Sequence, residues 1–181
     1  MPSAPIELNR KNIEVLIKPI NIDCCLDFIV AAHRETFRIT FRSEITDEFL
    51  ENELTRTRAD SVNDSNSVVG AFIENEIVGH AVLEKRIRDG DYPFGWIHFY
   101  YVAPQFRRHG VGLRLVKYST EYFDALGLKE YCLRTGEYNE SAIAFYLNTG
   151  FYRVPKGDKI GLNGVNELMM SFDISSTVSN S

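Results

Sequence analysis

The chain has 181 residues, 44% of them hydrophobic and 25% charged, so one packed domain is the expectation. Its formal net charge of -5 argues against a broad nucleic-acid-binding face, and no apolar run is long enough to span a membrane. Cys24, Cys25 and Cys132 form no C-x-x-C pair, and no basic-then-apolar leader precedes them, so a reducing, cytoplasmic setting is expected.

Residues 1–10 read as a loose start, and residues 13–20 as a first strand ending near Pro19. Asn21 or Asp23 then caps a helix with Leu26, Ile29, His33 and Phe37 on one stripe. Thr46 caps a second, short helix that turns Phe49, Leu50 and Leu54 inward, and residues 58–67, rich in Asp, Asn and Ser, are expected to be a loop. Strands follow at 68–74 and 77–85 around Asn75-Glu76, a hairpin turn. A polar loop at 88–92 leads to a strand at 96–102. The next helix opens at Gly110 and ends at Gly127, with Leu115, Val116, Ser119, Tyr122, Phe123 and Leu126 on its stripe. A short strand at 130–134, a helix at 139–148 and two strands at 151–154 and 167–172 complete the pattern. Residues 173–181 read as a polar, disordered tail, which leaves 1–172 as a single domain without repeats. The order β-α-α-β-β-β-α-β-α-β-β describes an α+β fold with a mixed sheet.

Residues 100–112 read Tyr-Tyr-Val-Ala-Pro-Gln-Phe-Arg-Arg-His-Gly-Val-Gly. A strand ends at Pro104, a tight loop follows, and a helix begins. The first amides of a helix point outward unpaired at the positive end of its dipole, which is a site for phosphate. Glycines at 110 and 112 allow close backbone approach, and Arg107, Arg108 and His109 add donors and positive charge. The loop lacks the Gly-Lys-Ser/Thr end of a Walker loop and the third glycine of a dinucleotide fingerprint.

Arg107-x-x-Gly110-x-Gly112 resembles the acetyl-CoA-binding motif of the Gcn5-related N-acetyltransferases, the GNAT superfamily. Residues 71–83 resemble that family's central hairpin, and Asn139, Tyr146 and Gly150-Phe151 resemble its second block. The likeness covers about residues 68–154, while residues 1–67, which in the family shape the acceptor site, agree in element order alone. The resemblance implies the GNAT fold: a mixed, mostly antiparallel sheet flanked by helices, with a splayed central strand pair. It also implies acetyl-CoA as co-substrate, no metal, and direct transfer to a primary amine of a small molecule or peptide. The alternative is a CoA-binding sensor or interaction module with little turnover. A homodimer is compatible with either, and neither membrane nor nucleic acid is implied as a partner.

The resemblance further assigns roles. The backbone of Tyr100, Tyr101 and Val102 would pair with the pantetheine arm. The amides of Arg108, His109, Gly110, Val111 and Gly112, beside Arg107, would hold the pyrophosphate. Asn139 matches a residue that hydrogen-bonds the pantetheine, or it is a helix cap. Tyr146 matches the acid that protonates the departing thiolate, or it packs in the core. His98 has the spacing of a base acting through water, or it packs in the sheet. Glu137, Glu84 and ordered water are the other candidates for the base. N-terminal-peptide acetyltransferases carry a glutamate where this chain has Arg134, followed by Thr135. The charged residues between 35 and 58 are either solvated helix faces or an acceptor rim that attracts an ammonium. His33, His80, His98 and His109 are too scattered to suggest zinc.

Overall fold

A computed structural model of the protein describes residues 14–175. In chain order the main elements are β1 (Val15–Pro19), α1 (Leu26–Phe41), α2 (Asp47–Asn63), β2 (Val68–Ile73), β3 (Glu76–Arg88) and β4 (Tyr92–Val102). Then come α3 (Val111–Ala125), β5 (Glu130–Gly136), α4 (Glu140–Asn148), β6 (Tyr152–Arg153), β7 (Lys159–Ile160) and β8 (Asn166–Asp173). The strands form one mixed sheet in the order β1-β2-β3-β4-β5-β8-β6, with β7 paired to β8. The α+β GNAT architecture expected from the sequence is present.

The helices lie on both faces. Tyr100 of β4 reaches α3 through Ser119 and the Leu115 carbonyl. On the opposite face, Phe99 stacks on His33 of α1 at 4.2 Å and Tyr101 meets Phe28 at 5.7 Å. Below α3 the core is aromatic: Tyr131 contacts Phe123, Phe151 and Phe172 with centroids 4.9 to 5.4 Å apart.

One pairing governs the site. β4 and β5 run parallel and pair only through Gly95–Tyr131 and Trp96–Cys132. Beyond Trp96 no residue of β4 pairs with β5, so from Ile97 to Val102 the β5-facing edge of β4 is left open. Its other edge stays paired with β3. This is the splayed strand pair that the resemblance implies. A wedge has opened in the middle of the sheet, and it exposes backbone donors and acceptors that an extended ligand can complete.

Several boundaries differ from expectation. α2 is 17 residues long and runs to Asn63, through most of the segment expected to be a loop. Leu50, Leu54 and the fully buried Thr57 anchor it, and Arg58 bridges Asp23 and Glu51. Tertiary packing here overrides poor helix formers, whose turn chemistry acts only at Asp64, the cap that ends the helix. Phe49 is not turned fully inward; it is 38% exposed and packs on Phe37. Leu126 caps α3 and is 40% exposed rather than sitting on its buried stripe. The chain remains in the sheet to Asp173, and Ile174 is buried at 2%, so the packed unit extends past 172. Residues 176–181 of the expected tail, and residues 1–13, lie outside the described residues. No described helix is long and apolar enough to cross a membrane.

Candidate active site

β4 carries a bulge at the site. Val82 pairs with Phe99 and Leu83 with Ile97, so His98 has no partner on β3. Strand side chains alternate between faces, and an extra residue breaks the alternation. Gly95 faces Phe123 of α3, and Tyr100, an odd number of residues later, also faces α3. The bulge therefore lets both His98 and Phe99 face the α1–α2 side, where alternation would allow one of them.

A cavity of about 340 Å³ lies on that side. Its lining includes His98 and Trp96 from β4, Glu53 from α2, and Arg134 from β5. Nε2 of His98 lies 2.6 Å from the Glu53 carboxylate, and Nδ1 lies 3.6 Å from Glu84. The hydrogen bond from His98 holds the Glu53 carboxyl below its ordinary range against a desolvation that would raise it. Glu84 is itself bound by Arg56 and Arg86. It is the hub of an ion network rather than a free base. Glu137 accepts from the Asn166 amide and is similarly occupied.

Tyr146 stands on the other face, 8% exposed, between Phe145 and Phe151. Burial pushes its hydroxyl well above the ordinary tyrosine value. No hydrogen bond ties that hydroxyl to another described group. Asn139 is the N-cap of α4: its Oδ1 accepts from the Ala142 amide at 3.3 Å. The cap reading therefore holds for the oxygen, and the amide nitrogen of the same side chain is not used by the cap.

The wedge opens at its upper end onto the loop before α3. Arg108 and Gly110 have φ of 65 and 83, left-handed values that turn the chain sharply into the helix. α3 has neither a side-chain cap nor an acidic residue in its first turn. The first amides of α3 thus end in an unneutralised positive dipole, flanked by the exposed Arg108 and His109. His109 Nδ1 lies 2.8 Å from the Arg107 carbonyl.

A model of the acetyltransferase (GNAT) family matches residues 26–151. The chain belongs to the GNAT family. It is 31% identical to human N-alpha-acetyltransferase 30 over 100 residues, which is 55% of this chain and 28% of that protein. The chain thus matches little more than a quarter of that relative's length. Among solved structures, one from the NatC complex bound to Gag peptide and CoA superposes with a TM-score of 0.67 at 18% identity, covering 88% of this chain and 98% of that one. A GNAT-family acetyltransferase of Staphylococcus aureus superposes at 0.70 and 18% identity, covering 89% and 99%. At these identities the superpositions speak for the fold alone.

Two residues of the GNAT motif make contacts within the protein that the sequence did not announce. Arg107 does not present its guanidinium to the helix start. Its Nε donates to the Val102 carbonyl at 2.9 Å, and its terminal nitrogen bonds Glu35 of α1 at 2.6 Å. Tyr101 donates to the other oxygen of Glu35, also at 2.6 Å. Arg107 therefore folds the loop against β4 and α1. Gly112 is the second case. A Cβ there would lie 2.9 Å from the ring tip of Phe145, so the missing side chain makes room for α4. At Gly110 a Cβ would meet nothing within 4 Å, and the positive φ is what calls for glycine.

Glu53, one of the charges of residues 35–58, is the carboxylate that the fold brings to His98. Glu44 pairs with Arg38, Asp47 with Arg34 and Glu51 with Arg58 at the surface. Glu53 alone of these lies three residues from Leu50 and four from Thr57, on the buried stripe. A carboxylate on the apolar stripe of an amphipathic helix was the legible signal. Among the described residues no group of His, Cys, Asp and Glu could hold a metal ion.

Proposed function

We propose that this GNAT domain transfers acetyl directly from acetyl-CoA to a primary amine, of a small molecule or a peptide, within one ternary complex. The observation that carries the reading is the wedge: an open β4 edge from Ile97 to Val102 that ends at an uncapped helix start with Arg108 beside it. The extended pantetheine arm is chemically an added strand, and the pyrophosphate is the anion that the α3 dipole accepts. The backbone of Tyr100 to Val102 and the amides of Arg108 to Gly112 hold these two parts. The Asn139 amide nitrogen, which the helix cap does not use, would bond the same ligand.

The wedge separates two chemistries. On the α1–α2 face, the His98–Glu53 pair takes the proton that the ammonium must lose before its nitrogen can attack. On the α3–α4 face, the Tyr146 hydroxyl gives a proton to the thiolate as the carbon–sulfur bond breaks. An amide of β4 stabilises the negative charge that develops on the thioester oxygen. Both nitrogens of His98 face carboxylates, so it works with Glu53 as a unit and reaches the amine through water. The human relative named for N-alpha-acetylation favours a peptide amine. The engagement of both His98 nitrogens also favours a second reading, a CoA-binding module with little turnover.

A thiol-release assay with acetyl-CoA and a panel of amines decides between them. Acceptor-dependent thiol release supports the enzyme. Tight CoA binding with no such release supports the module.

A further inference from the structure

We propose that the acceptor is an amine that also carries a carboxylate, and that Arg134 holds that carboxylate in the cavity beside His98. This rests on the acyl-transfer reading above, since it names the acceptor class of that same site.

The charges around the cavity do not balance. Four permanent cations line it: Arg56, Arg86, Arg134 and Lys159. Glu84 serves both Arg56 and Arg86, Glu167 lies 3.3 Å from Lys159, and Glu53 is taken by His98. Arg134 is left without a carboxylate among the described residues. Its Nε donates to the Gly157 carbonyl at 3.0 Å, and that is its one hydrogen bond to described groups. A guanidinium carries five N–H donors in a planar fork suited to a carboxylate. Here one donor is used, and it fixes the side chain. The chain as a whole is acidic, so this surplus positive charge is local.

Geometry aims the surplus at the acceptor. Arg134 and Arg86 both lie against Trp96, with guanidinium carbons 5.3 and 4.3 Å from its ring centroid. Such contacts hold the cations in place. His98 follows Trp96 two residues along the same strand face, about 7 Å away at the usual rise. Arg134 lies two residues beyond Cys132, the β5 partner of Trp96, so it stands level with His98 across the wedge, and an amino acid in the cavity would turn its ammonium towards His98 and Glu53 and its carboxylate towards Arg134. The opposite wall is apolar. Phe37 contacts Phe41 and Phe49 at centroid distances of 4.8 and 5.4 Å, and all three line the cavity. The space thus suits an amine, a carboxylate and an apolar body in one molecule.

Calorimetry on the CoA-loaded protein tests this with matched ligands. Free phenylalanine is compared with phenylalaninamide, which lacks only the carboxylate. A peptide amide beginning Met-Glu is compared with one beginning Met-Gln, in case the anion comes from a peptide side chain. The expected result is at least tenfold tighter binding of the carboxylate member of one pair. Arg134→Gln should bring that pair to within about twofold, and Arg134→Lys should retain part of the preference. No carboxylate preference in either pair overturns the proposal, as does a preference that survives Arg134→Gln. Thiol release with the same ligands is read separately. Arg134-dependent binding without turnover defeats the acyl-transfer reading and leaves the carboxylate site standing.

Discussion

Glu53 of α2 and His98 of β4 stand 45 residues apart in the chain and 2.6 Å apart in space, with their side chains only 20% and 16% exposed. The contact joins the helix that walls the cavity to the bulge that displaces the histidine. Because proton transfer between such close groups is coupled, any apparent pKa in a rate profile belongs to the pair.

If this pair is the base, kcat/KM rises with pH through an acidic limb. His98→Gln keeps a hydrogen-bonding side chain of similar size but cannot titrate near neutrality. It should lower kcat/KM by roughly 10²-fold, the scale of positioned proton transfer, and remove the limb. Glu53→Gln removes the carboxylate that His98 binds, so if the pair acts as a unit kcat/KM should fall here too and the acidic limb should change with it. Unchanged pH profiles in both variants would leave ordered water as the base.

Gly112 separates charge from sterics. Gly112→Asp places a carboxylate in the first turn of α3, in competition with the pyrophosphate. Acetyl-CoA affinity should fall at least tenfold, about 1.4 kcal/mol. The fold should survive, because an acid is favourable at that turn and the Phe145 ring tip can swing aside. Gly112→Asn makes nearly the same steric demand without charge and should lose far less affinity. Equal losses in the two variants, measured by calorimetry, would mean that the glycine matters only for packing against α4.

Much of this was legible in the chain because it is local. The strand–loop–helix signature at 100–112 and the cap at Asn139 are written in consecutive residues. The α2 boundary was not, because its last turns are held by Leu54, Thr57 and a bridge from Arg58 to Asp23. The contacts of Arg107 and Gly112 were not legible for a similar reason. Their partners, Glu35 and Phe145, lie far off in sequence and are set by how α1 and α4 cross the sheet. The bulge at His98 depends on its register with β3, which no single strand announces.

Tyr146→Phe tests the acid on the other face. The hydroxyl has no hydrogen-bond partner among described groups, so its removal should cost little stability. Turnover should drop by roughly 10²-fold, with acetyl-CoA affinity nearly intact. A variant with the parent kcat would assign Tyr146 to packing with Phe145 and Phe151 alone.

The remaining prediction concerns stability against pH. His33 and His80 are buried, and burial lowers both from 6.5 to about 4. Unfolding returns them to the ordinary value, so between these limits the unfolded chain binds more protons. The stability they contribute is complete above about pH 6.5 and is lost as pH falls towards 4, on the order of 3 kcal/mol for each. Glu53 acts in the same direction at lower pH: its depressed carboxyl stabilises the fold when ionised, and that share is lost as it protonates. His80→Asn isolates one term. His80 Nδ1 lies 3.0 Å from the Val69 carbonyl, and an asparagine amide can replace that donor without titrating. The variant should be less stable at pH 7.5, because a fully buried ring is lost. Its urea midpoint should fall less steeply between pH 6.5 and 4.5 than that of the parent. An identical slope in both proteins would mean that His80 does not carry the acid sensitivity of the sheet.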